Sequence, residues 1–63
     1  MITEIIIHDL DSWVKTTYYS LDHCLQHVTG YEQKMINYMA VNDIDLVTIG
    51  KTIIKIKFEK GEH

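Results

Sequence analysis

The sequence predicts an α+β fold: a three- or four-stranded, mostly antiparallel sheet packed on one long helix in two layers, in the order β(β)αββ. Two observations carry that expectation. From Leu21 to Asn42, the residues Leu21, Cys24, Val28, Tyr31, Met35 and Tyr38 fall at alternating steps of three and four, which draws one apolar stripe along a helix. The stretch Val47-Thr48-Ile49-Gly50-Lys51-Thr52-Ile53-Ile54 then switches to β-branched residues on either side of a two-residue Gly-Lys turn. A chain of 63 residues leaves room for one domain, residues 1–63, and for little beyond these elements.

Taken in order, Ile2 to His8 reads as a strand, because Ile5-Ile6-Ile7 is β-branched and too short to argue for a helix. Asp9-Leu10-Asp11-Ser12 supplies turn or N-cap residues. Residues 13–19 admit two readings. Their composition favours a second strand that hairpins back onto the first, while Leu10, Val14, Tyr18 and Leu21 continue a helical spacing; strand is preferred. Ser20 is a good N-cap, and Asp22 places a carboxylate in the first helical turn, where the helix dipole favours it. Thr29-Gly30-Tyr31-Glu32 fits a capping box and argues for a second helix start. Against a break, the apolar phase crosses Gly30 without a slip, so one helix with a soft point is expected, closed by Asn42-Asp43.

Gly50 at the first central position suits a type II′ turn, which pairs Ile49 with Thr52 and Val47 with Ile54. That register sends Val47, Ile49, Ile54, Ile56 and Phe58 toward the helix and Leu46, Thr48, Ile53, Lys55 and Lys57 to the back of the sheet. Either Ile6 or the pair Ile5 and Ile7 joins that back face. A sheet with apolar residues on its back needs a cover, so Ile6, Leu46 and Ile53 are the expected dimer interface.

Size and charge narrow the function. A chain this short buries about 60% of the surface it exposes when unfolded, and such a domain usually needs a disulfide, a metal or a second subunit. Cys24 is the sole cysteine, so self-association, as a homodimer, is the expected stabiliser. No apolar run approaches the roughly 20 residues of a membrane span, and no basic region followed by a long apolar stretch opens the chain. The expectation is a soluble protein of the cytoplasm, bacterial or phage-infected. The formal net charge is −3, with six lysines and no arginine. Arginine is the favoured reader of phosphate and guanine, so its absence makes direct nucleic-acid binding the weaker reading. Residues 1–45 hold seven acids against two lysines, and residues 46–63 hold four lysines against two acids. The bland account of the second group is solvated lysines that protect a sheet edge.

No catalytic motif stands out. His23 and His27 have the spacing of metalloprotease helices, but the glutamate general base of that motif is missing. Cys24 on the apolar stripe reads as a buried thiol and not as a nucleophile. Asp9, Asp11, Asp43 and Asp45 read as turn and cap residues, because neither pair sits in a glycine-containing calcium loop. No metal and no cofactor are expected. The aromatic residues are the most plausible functional signal, since tryptophan and tyrosine dominate binding hot spots. Asp9, Asp11, Trp13, Tyr18 and Tyr19 are the expected partner-binding group.

These readings converge on a small non-enzymatic protein-binding module. Ten isoleucines, together with lysines and no arginine, suit an AT-rich coding sequence. The particular expectation is a phage or mobile-element protein that binds and inhibits a host enzyme, such as a nucleic-acid-processing or CRISPR effector whose basic groove an acidic surface could occupy. The alternative is a nucleic-acid-binding accessory or regulatory protein that uses Lys51, Lys55, Lys57 and Lys60.

Overall fold

A computed structural model describes residues 1–59; Lys60 and Glu62, counted above with the basic tail, lie outside the described residues. Four strands and two helices follow one another as β1 (Ile2–Asp9), β2 (Val14–Tyr18), α1 (Leu21–His27), α2 (Gly30–Val41), β3 (Leu46–Ile49) and β4 (Thr52–Phe58). The strands form one sheet in the order β2-β1-β4-β3, and every pair is antiparallel. The second strand is therefore formed, and the helical alternative for residues 13–19 is not. The β3–β4 hairpin has the expected register, Ile49 opposite Thr52 and Val47 opposite Ile54. Gly50 takes φ +57° while Lys51 stays out of the positive region, as a type II′ turn requires.

The long helix does not exist as one piece. Val28 and Thr29 are both extended (ψ 136° and 172°), and Gly30 starts α2 at φ +66°, a conformation that glycine adopts without steric cost. Ser20 caps α1 as expected, its Oγ accepting from the His23 amide at 3.1 Å. Thr29 occupies the cap position of α2, but its side chain makes no capping bond. The end of α1 is instead held from the next helix: the Gln33 side-chain amide donates to the Leu25 carbonyl at 3.0 Å, satisfying an acceptor that the break orphans. A continuous helix would have bonded that carbonyl internally.

The break also changes which side of α2 faces the sheet. The stripe holds through α1, where Cys24 is buried and Val28 seals the junction. In α2 the buried residues are Ile36 and Met39, whereas Tyr31 and Tyr38, expected on the stripe, are 63% and 57% exposed. The last turn closes on Asn42. Asp43 adopts φ +56°, and the Ile44 amide donates back to the Met39 carbonyl at 3.0 Å, the long bond of a Schellman ending. Ile44 then packs on the core.

The core lies between the helices and one face of the sheet. Ile5, Ile54 and Ile56 from the inner strands meet Cys24, Val28, Ile36 and Met39 from the helical layer, with Ile2, Ile7, Tyr18, Val47, Ile49 and Phe58 around them. Alternation along β1 and β4 puts Ile6 and Ile53 on the other face. Both helices pack on one side only, so among the described residues nothing lies over that second face. No helix of the described residues is long and apolar enough to cross a membrane.

Candidate interaction surface

The uncovered face is ordered in cross-strand rows. One row runs Thr17, Ile6, Lys55, Leu46 from β2 to β3; the next runs Lys15, His8, Ile53, Thr48; and Glu4 stands opposite Lys57 beyond the end of β3. The residues expected at a dimer interface, Ile6, Leu46 and Ile53, thus share this face. Leu46 is 56% exposed, and Ile6 and Ile53 are half-buried by their neighbours. Glu4 and Lys57 form an ion pair at 3.0 Å. Lys15 and Lys55 make no ion pair among the described residues. Lys55 and Lys57 belong to an inner strand, so they do not guard a sheet edge, contrary to the sequence-based account.

At the turn end of the face stands Trp13. The four-residue loop Leu10–Trp13 joins Asp9 to Val14, and its last residue, Trp13, takes φ +60°. That backbone region costs a non-glycine residue roughly 1–2 kcal/mol. The residue is 77% exposed, and its ring meets the His8 imidazole edge to face, with centroids 6.2 Å apart. The loop is braced against the neighbouring hairpin: the Leu10 amide donates to the Lys51 carbonyl at 2.7 Å, and Lys51 Nζ donates to Asp11 Oδ1 at 3.1 Å. Asp9 Oδ1 accepts from the Asp11 amide at 2.9 Å, a turn of the Asx type. Asp9 and Asp11 are therefore engaged in holding the loop that presents Trp13.

The expected partner-binding group is not one patch. Tyr18 lies opposite Ile5 on the helix side of the sheet, against the rings of His23 and His27 at 5.7 and 6.0 Å. Tyr19 is 71% exposed at the far end of β2 from Trp13, about 20 Å away at roughly 3.3 Å per residue. The structure keeps Trp13 with the open face, turns Tyr18 to the helix side and leaves Tyr19 beyond the far end of β2. Sequence reasoning missed Lys15, Thr17 and His8 as members of that face. The signal was present in the alternation of residues 13–18, which faces the alternation of residues 4–9 once Asp9 and Val14 are taken as partners.

The histidines and the thiol form no combined site. The rings of His23 and His27 meet edge to face at 4.6 Å, and His27 Nδ1 donates to the His23 carbonyl at 3.0 Å. Cys24 turns the opposite way, into the core, where burial first and the nearby Glu32 carboxylate second push its pKa from 9.0 up to about 11. A thiol so placed stays protonated at neutral pH and is a poor nucleophile. Among the described residues no three histidine, cysteine, aspartate or glutamate side chains gather closely enough to hold a metal. No protein family, curated protein or solved structure matches the chain.

Proposed function

We propose that the chain is a small non-enzymatic protein-binding module that engages another protein through the open face of its sheet, with Trp13 as the anchor at the turn end. Trp13 carries this reading. A bulky ring held in left-handed backbone and 77% exposed contributes little to the core, and indole is among the side chains that contribute most to protein interfaces. Within this class, the task expected from the sequence is inhibition of a host enzyme, such as a nucleic-acid-processing or CRISPR effector, by a phage or mobile-element protein acting in the cytoplasm; the lysines of the open face suit an acidic site on such an enzyme and not its basic groove.

Two further readings rest on particular observations. Self-association is favoured by the presence of Ile6, Leu46 and Ile53 on one uncovered face. Nucleic-acid binding through Lys51, Lys55, Lys57 and Lys60 is weakened by the pairing of Lys51 with Asp11 and of Lys57 with Glu4. Of the four lysines, that leaves Lys55 unpaired among the described residues, a small electrostatic footprint for phosphate.

The test uses the full chain and Trp13→Gly as parallel baits in a low-GC bacterial lysate, with titrations of single-stranded DNA and RNA alongside. A protein retained by the first bait and lost from the second is the expected outcome. Equal retention would remove Trp13 from the surface. Tight, steeply salt-dependent binding of nucleic acid would transfer the function to the lysines.

A further inference from the structure

Lys55 occupies the middle of the open face, and its position restricts what can cover that face. In its row it lies between Ile6 and Leu46, and Ile53 shares its side of β4 two residues away. A surface that seats on those three apolar side chains also strips water from the Lys55 ammonium or confines it against the interface. A desolvated ammonium is costly unless an anion meets it. Lys15, in the adjacent row beside His8, adds a second lysine without an ion-pair partner among the described residues. Glu4 is already paired with Lys57, and the other nearby acids, Asp43, Asp45 and Glu59, line a groove with Lys55 and Lys57 without forming an ion pair among the described residues.

We propose that the open face docks a protein surface that is apolar at its centre and presents carboxylates to Lys55 and Lys15. This rests on the protein-binding reading above and names the chemistry of the partner. Carboxylate fits better than nucleic-acid phosphate because the inner-strand positions facing outward are aliphatic at Ile6 and Ile53. The rings of the face, Trp13 and His8, meet each other at its turn end and form no run of platforms on which successive bases could stack. A second copy of the same face fits worse still. A two-fold pairing of identical surfaces would set Lys55, at the centre of the face, against its own copy.

The experiment is an amide-resolved NMR titration of the full chain with three peptides of equal length and identical alternating apolar positions, whose other positions are glutamate, glutamine or lysine. An oligothymidylate titration and light scattering of the free chain accompany it. The expected result is that the glutamate peptide shifts the amides of Ile6, His8, Lys15, Ile53 and Lys55, binds about tenfold more tightly than the glutamine peptide, and weakens as salt rises. Lys55→Glu, an exposed change whose folding the same spectrum checks, should transfer the preference to the lysine peptide; Lys15→Glu should do so in part. Equal or stronger binding of the glutamine or lysine peptide at these amides would overturn the proposed charge of the partner and leave protein binding intact. Tighter binding of the oligothymidylate than of any peptide would overturn both readings. A dimer at micromolar concentration that Ile53→Lys dissolves would give the face to a second copy and end the proposal, as would the absence of any shift at these amides.

Discussion

Ile53 and Ile54 are neighbours on β4, yet Ile54 is fully buried beneath the helices while Ile53 faces outward beside Lys55. The same contrast divides Ile5 from Ile6 on β1. On the closed face every large residue of the inner strands is aliphatic or aromatic and packs on α1 and α2. On the open face, aliphatic residues alternate with lysines, a histidine and threonines, and a strained tryptophan stands at one end. The comparison teaches that residue type does not separate the two faces. Isoleucine serves both, and what differs is the company it keeps across the strands and the helical layer that covers one side.

The largest expected effect comes from testing that asymmetry directly. Ile54→Ala should cost about 2–5 kcal/mol, enough to unfold much of so small a domain, whereas Ile53→Ala should cost well under about 1 kcal/mol. Urea unfolding of both variants, with the milder Ile54→Val as a measurable intermediate, checks the ratio. Similar losses at the two positions would mean that the open face is covered in solution.

Gly30→Ala asks whether the helical layer is in two parts. At φ +66° with open space around a new Cβ, alanine should destabilise by about 1 kcal/mol through backbone strain alone. In one continuous helix the same change would stabilise by a similar amount, so the sign of the shift in thermal midpoint decides.

An effect of similar size is expected at the anchor. Trp13→Gly should be more stable than Trp13→Ala by about 1 kcal/mol, because both variants lose the ring and only glycine relieves the left-handed backbone. Equal stability would place Trp13 in ordinary backbone and remove the strain argument for its role. Smallest of all, a double-mutant cycle on Glu4 and Lys57 should return a coupling of about 0.2–1 kcal/mol that fades with salt, as a partly exposed ion pair gives. A much larger coupling would show that the open face is drier than its exposure suggests.

The strands were the most legible part. β-branched runs, a glycine at the first position of a two-residue turn and strict alternation gave the β3–β4 register and the sorting of Val47, Ile49, Ile54 and Ile56 from Leu46, Ile53 and Lys55. The helix was less legible. Both candidate endings, the capping box at Thr29 and the unbroken apolar phase, could be read from the same residues. The phase misled because Tyr31 and Tyr38 are as acceptable half in water as in a core. The candidate site was legible only in pieces, since Trp13, Tyr18 and Tyr19 are close in sequence but strand alternation and length place them on different faces and at different ends.

What the sequence determined by itself is local: where strands, turns and caps fall, which residues alternate, and that Cys24 belongs inside. Those features depend on backbone propensity and on periodicities that a few adjacent residues already express. The tertiary structure decided which strand lies inside the sheet, that Lys55 stands at the centre of a face and not at an edge, that α2 turns Ile36 and Met39 inward, and that Trp13 joins Ile6 and Ile53. Each of these depends on pairing or packing between segments distant along the chain. Such contacts are chosen by how well whole surfaces fit together, which no single stretch of sequence encodes.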